Sequence, residues 1–302
     1  MSPVLQKFGY SAIVASLLLF SIPFAALAAE PEAGGASDEA PLTAEQQAYL
    51  DKLKALNWVK GPTSVAVAGN SELAIPEGYL YLDQSGTSRY LELNQNMSSG
   101  KEIMVAPTSM EWQAYLTFEA EGYVKDDEKI DADQLLHDLQ AGQQEANKER
   151  RRRGWSELTI KSWARPPSYN QGTHRLEWAT LIESDGSTGT NFFTKVLGRR
   201  GHTSVQMVAD VESLAQAEAK LDDVLNGYTF NSGERYSEWV PGDKVAEYGL
   251  AAMVLGGAAA VAAKKGLFGV IAGFLAAAWK LVVAGAVALV TAVRSFFAKK
   301  KT

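Results

Sequence analysis

Three kinds of side chain in this 302-residue chain could bind or transform something: a carboxylate cluster, a basic run and a set of large aromatics. Asp126, Asp127, Glu128, Asp131 and Asp133 offer the oxygens that a hard divalent cation requires. Their spacing is not that of an EF-hand loop, and the glycine such a loop needs is missing. Asp131 placed ahead of a helix would instead cap it, Gln134 would complete a capping box, and Asp133 would meet the helix dipole. The cluster therefore reads as a helix start, with no metal site. Lys148 and Arg150, Arg151, Arg152 and Arg153 form the strongest basic run, in the last turns of the same helix, where cations face unpaired carbonyls. Arg199 and Arg200, inside the short turn Gly198-Arg199-Arg200-Gly201, are a second place to hold an anion. These six arginines are the anion-binding candidates, and a solvated helix face is the plainer reading of the first four.

The histidines His137, His174 and His202 have no second histidine at helical metal-ligand spacing, and no HExxH occurs. Neither a GxSxG turn nor a glycine-rich phosphate loop is found, so no cofactor is expected. His174, at a strand entrance near Tyr169, is expected to make a structural hydrogen bond. Trp163, Tyr169 and Trp178 could line a groove for a glycan or peptide, or fill an ordinary core as large aromatics do. With no catalytic constellation apparent, the sequence favours a non-catalytic binding domain. The alternative is an enzyme whose site gathers His174, Glu177, Asp185 and Arg199.

The elements that must position these groups follow from pattern. Thr43 caps a helix over 44–57. Ser64–Ala68 and Ser71–Ile75 form a hairpin around Gly69-Asn70, and Gly78–Asp83 and Trp112–Val124 alternate as strands do. Asp131–Arg153 is a surface helix with one short apolar stripe at residues 135, 136 and 139. Four strands follow: Leu158–Ala164, Arg175–Ile182, Asn191–Gly198 and Thr203–Val208. Asp210–Asn226 is an amphipathic helix with Val211, Leu214, Leu221, Val224 and Leu225 facing inward. The fold class is α+β, mostly antiparallel sheet with two main helices, over residues 44–241.

The two ends differ from this middle. Lys7, the apolar run Ser11–Phe24 and Ala26-Leu27-Ala28 have the three parts of a secretory signal, expected over residues 1–28. Residues 29–43 read as a linker. Residues 242–302 are Gly/Ala-rich and apolar, ending in a basic tail, and are expected to form a helical membrane anchor. One crossing within 266–293 keeps the Lys-rich C-terminus cytoplasmic, with crossing by 246–263 as the alternative. Small residues at Gly256, Gly269 and Gly273 suit close helix packing in the bilayer, within one chain or between copies. Lys280 within the span is read as snorkelling to an interface.

Charge divides with the same boundary. Beyond residue 241 there are eight Lys/Arg and two Asp/Glu, so the chain's −6 separates into +6 there and −12 before it. An acidic domain is repelled by nucleic acid, which is excluded as a partner. An envelope protein or cell-wall polymer is the expected partner class. The absence of cysteine removes any disulfide framework or thiolate metal site.

Several stretches resemble the bacterial DUF2167 family of predicted membrane-anchored proteins. They are Gly122-Tyr-Val-Lys-Asp-Asp-Glu128, Asn147 with Arg150, Gly154-Trp155, and Trp163 followed by Pro167 and Tyr169. Thr173-His174-Arg-Leu-Glu-Trp178, Leu197-Gly-Arg-Arg-Gly201, Gly233-Glu-Arg-Tyr236 and Gly242-Asp-Lys-Val-Ala-Glu-Tyr-Gly-Leu250 continue the match. The resemblance implies a signal, an outer domain and a C-terminal anchor on the bacterial cell membrane, with the main domain periplasmic. It implies no established activity and transfers no catalytic residue.

Overall fold

A computed structural model describes residues 43–257. The expected signal, the linker up to residue 42, the 266–293 span, Gly269 and Gly273 lie outside the described residues.

The centre is an antiparallel sheet of eight strands. In chain order they are β1 (Val59–Lys60), β4 (Tyr79–Leu82), β5 (Ile103–Pro107), β6 (Trp112–Glu119), β7 (Thr159–Asn170), β8 (Arg175–Ser184), β9 (Ser187–Leu197) and β10 (His202–Ala209). Across the sheet the order is β1-β4-β5-β6-β10-β9-β8-β7. A smaller sheet orders β11 (Tyr228–Phe230), β3 (Ser71–Ile75) and β2 (Thr63–Val67). The helices are α1 (Ala44–Lys54), α2 (Gln84–Leu93), α3 (Ala132–Arg152), α4 (Leu214–Leu225) and the five-residue α5 (Leu250–Val254).

Strand alternation divides the core between the two faces of the large sheet. One face carries Ala114, Leu116, Val205, Met207 and Phe192, and packs against Leu73 and Ile75 of the small sheet and Leu221 and Val224 of α4. The other face has two apolar islands. Near β4 and β5, Met104 and Tyr115 meet Leu53 of α1 and Tyr90 and Leu91 of α2. Near β8, Leu176, Trp178 and Leu197 meet Leu135 of α3 and Leu250 and Met253 of α5. Covering both faces explains why the central strands β6, β9 and β10 carry runs of buried residues rather than clean alternation.

Local chemistry sets several boundaries. Thr43 and Gln46 close a reciprocal capping box on α1. Asp131 accepts from Gln134 N at 3.1 Å, but Gln134 Nε2 turns to Asp138 at 2.9 Å, so the expected box at α3 is only half built. Asp185 (φ 49°) and Gly186 (φ 78°) make the tight β8–β9 turn, which needs two left-handed residues. The turn Gly198–Gly201 joins β9 to β10. A Cβ at Gly201 would lie 2.0 Å from the Glu119 carbonyl oxygen, so only glycine lets this turn lie on β6.

The structure corrects the expected fold class in three respects. Among the described residues, four helices have ten residues or more: the two main ones, the shorter α1 expected behind Thr43, and α2, which the sequence did not show and which covers a sheet face together with α1. The expected C-terminal helical anchor is overturned as far as the described residues reach: none of their helices is long and apolar enough to cross a membrane. There the apolar stretch from Tyr248 forms only α5, packed on Trp178 and Leu197, and then turns at Gly256 (φ 106°) and Gly257 (φ 61°). Finally, β7 runs through Pro166 and Pro167 to Asn170 instead of ending at Ala164. It is an edge strand with bulges, where a missing N–H costs no ladder bond.

Candidate functional site

Two groups of side chains stand out, one on the surface and one under it. The surface group lies where the β9–β10 turn, the loop after β6 and the chain after β11 meet. Arg199 clamps Asp243 with two bonds, Nε to Oδ2 at 2.6 Å and Nη2 to Oδ1 at 2.9 Å, and gives Nη1 to the Gly233 carbonyl at 3.2 Å. Asp243 also accepts from Val240 N at 3.0 Å, closing the loop 240–243 on itself. These partners hold the Asp243 carboxyl well below its ordinary range, down to about 2, with the Arg199 guanidinium as the largest cause. Beside the clamp, Tyr123 stacks on Tyr236 (4.5 Å, 19°) and meets the ring of Trp239 at 5.2 Å. Val245 pairs in parallel with Tyr123, which fixes the far end of the loop. Trp239, Val240 and Val245 remain exposed, at 37, 47 and 36%.

Beneath this ledge the aromatic groove candidates are part of the core. Trp178 is buried and stacked on Phe193 at 5.0 Å. Trp163 gives its indole N–H to the Ala132 carbonyl at 3.0 Å, at the start of α3. The Tyr169 hydroxyl donates to Asp126 Oδ2 at 2.9 Å and so accepts from His174 Nδ1 at 3.2 Å. The expected structural hydrogen bond of His174 is that contact, and the residue sits at φ 51° on the β7–β8 turn. Burial, and then the bond to Asp126, raise the Tyr169 pKa. Tyr236 is raised by burial as well, and it donates to the Val124 carbonyl at 2.9 Å.

The arginine candidates are dispersed among carboxylates. Arg150 is 2% exposed, points under the helix toward the Ser156 carbonyl and lies over the Trp155 ring at 5.6 Å. Burial pulls its pKa down. Arg151 pairs with Glu157 at 2.7 Å, while Arg152 and Arg153 share Glu149 at 3.0 and 2.9 Å. Arg200 pairs with Glu234. Gly256 follows α5 in a left-handed turn rather than inside a helix.

The enzyme constellation is not assembled. His174 precedes β8 and Asp185 follows it, so the ten-residue strand separates them by about 30 Å. Glu177 is held on the α4 side by Arg165, which also bonds Glu218. A shallow recess of about 360 Å³ lies elsewhere, at the β2–β3 turn and the start of α2. Its Asp83 is engaged in capping Gly86 N, and Gln84 in bonding the Lys101 carbonyl.

The second group was missed by the sequence reading. On the sheet face between the two apolar islands, β9, β10 and β6 bring Lys195, Ser204, His202 and Glu119 together. Lys195 Nζ donates to Ser204 Oγ at 2.7 Å and lies 3.6 Å from Glu119 Oε1. His202 Nε2 is 3.8 Å from the same oxygen. Both Lys195 and His202 are almost wholly buried, at 4 and 1%. Burial and then the Lys195 charge hold His202 well below the ordinary histidine pKa, so the ring is neutral. A Ser204–Lys195 nucleophile pair does not follow, because the ammonium donates to the serine and faces a carboxylate as an ion pair does. Only cross-strand register unites these residues, and a search for motifs along the chain has no signal for that.

The fold and the ledge together define a layered antiparallel-sheet domain with a clamped apolar edge. The chain belongs to the family described as "Protein of unknown function (DUF2167)", whose model matches residues 59–288. No curated protein matches. Among solved structures, cyanobacterial PsbP (CyanoP) from Synechocystis sp. PCC 6803 is similar at 9% identity and TM-score 0.36, over 57% of this chain and 95% of that one. The Ran-binding protein Mog1p of Saccharomyces cerevisiae is similar at 11% identity and TM-score 0.28, over 60% of this chain and 100% of that one. Likeness at these scores carries no argument about function.

Proposed function

We propose that this protein is a non-catalytic interaction domain that recognises a protein partner through the ledge formed by Trp239, Val240 and Val245. The observation that carries the reading is the clustering of exposed apolar side chains on one clamped loop. Among the described residues the large exposed hydrophobics are Val59, Val211, Trp239, Val240 and Val245, and three of the five belong to this ledge. Scattered apolar residues on a surface need no explanation, whereas a contiguous patch marks a contact site. Tryptophan supplies much of the binding energy where it occurs in interfaces. The Arg199–Asp243 clamp and the stack under Trp239 hold the loop in one conformation, which lowers the ordering cost of association.

Pull-down with the purified full chain against the Trp239→Ala, Val240→Ser double variant tests the reading. A Val59→Ser, Val211→Ser variant serves as the surface control. Loss of enriched proteins in the ledge variant alone is expected. The same proteins enriched by wild type and ledge variant would count decisively against it.

A further inference from the structure

We propose that Glu119, Glu121 and His202 form a site for a first-row divalent cation with mixed nitrogen and oxygen preference, such as zinc or manganese. Each residue places one ligand atom within 4.8 Å of the other two. Tetrahedral coordination at ~2.0–2.1 Å sets donor atoms about 3.3 Å apart, so a small side-chain closure suffices. Imidazole with two carboxylates is the donor set that such ions accept, and three protein ligands leave a position open for water.

An independent observation points the same way. His202 is 1% exposed, and its Nε2 faces Glu119 Oε1 at 3.8 Å, beyond hydrogen-bond distance. A buried imidazole nitrogen without a hydrogen bond is costly, and an ion drawn in between Nε2 and the carboxylates would satisfy it. Backbone geometry fixes the three ligands relative to one another. His202 and Glu119 are register partners on β10 and β6, and Glu121 N bonds the Glu119 carbonyl at 3.0 Å in the turn that follows. Gly201 lets the β9–β10 turn lie directly on Glu119.

Lys195 gives the proposal a distinctive signature. Its ammonium, 3.6 Å from Glu119 Oε1, competes with an incoming cation for that oxygen. Binding therefore requires Lys195 to fall back on Ser204, which it already contacts at 2.7 Å.

The test uses the full chain without a histidine tag, titrated with zinc and with manganese by calorimetry, with metal content read after dialysis. Wild type should bind one equivalent of at least one ion. Glu121→Gln and His202→Gln should each weaken it by more than about tenfold, since even outer partners of metal ligands are worth 10–100-fold. Lys195→Met should tighten binding by about tenfold or more, because a unit charge within ~4 Å of the site repels the ion. Glu121 is only partly buried, so its variant keeps the test decisive if His202→Gln fails to fold. Failure of wild type to bind one equivalent of either ion, equal binding by Glu121→Gln, or weaker binding by Lys195→Met would overturn the proposal.

Discussion

Placing one methyl group at Gly201 should cripple the domain, while the same methyl at Gly142 should strengthen it. At Gly201 an added Cβ would sit 2.0 Å from the Glu119 carbonyl oxygen and 2.9 Å from Phe118 Cζ. Both neighbours belong to β6; the Phe118 ring can yield, but the oxygen is backbone and already accepts from Glu121 N, so it cannot rotate away. Overpacking of this kind costs ~1–3 kcal/mol, and a rigid backbone neighbour puts Gly201→Ala at ~3 kcal/mol. For a domain of this size that is a fall in Tm of about 6–12 °C. Gly142 lies inside α3, and a Cβ there meets nothing within 4 Å. Gly142→Ala removes backbone freedom from the unfolded chain and should add ~0.5–1 kcal/mol, a rise of about 1–4 °C. Thermal and urea unfolding followed by far-UV circular dichroism measure both variants against wild type. Gly201→Ala melting within ~1 °C of wild type would refute the packing argument for the β9–β10 turn and weaken the placement of Glu119 beside His202.

Other expected outcomes use the same logic of contrasting sites. Leu221→Ala, in the α4 face of the core, should lose ~2–5 kcal/mol, whereas Val211→Ser at an exposed position should stay within ~0.5 kcal/mol, both read from urea midpoints. Arg150→Ala empties a buried site and strips the Ser156 carbonyl of its guanidinium donor, for a loss of ~2–4 kcal/mol, while Arg152→Ala on the surface should change almost nothing. The Arg199–Asp243 clamp gives a pH dependence of known sign. Asp243 is depressed from 3.8 to about 2, so the clamp contributes fully above the ordinary carboxylate value and is lost as pH falls through about 2. Carboxyl NMR should show one aspartate titrating near that value, with Asp243→Asn removing the signal.

The sequence made legible what is encoded locally. The Thr43 cap and the Gly69-Asn70 turn depend on neighbouring residues, and each is where pattern placed it. The apolar stripe of α4 was legible too, except at Val211, which lies before the helix and is exposed. Helix α2 was not, since Gln84-Ser-Gly-Thr-Ser carries little helical propensity and Asp83 capping Gly86 N is the only local signal. Pro166 and Pro167 looked like a strand end because edge position is a property of topology rather than of neighbours. The same limit hid both candidate sites. Arg199 and Asp243 were visible as residues, and the clamp between them was not. Likewise His202 lacked any ligand at helical spacing, because Glu119 and Glu121 reach it across the sheet.

The interaction ledge can be tested most directly with a photo-crosslinking amino acid placed singly at position 240 and, as control, at 211 in the full chain expressed in its own cells. The account predicts discrete protein adducts from position 240, abolished by Trp239→Ala, and none in common with position 211. Identical adduct patterns from both positions, or none from position 240, would contradict it.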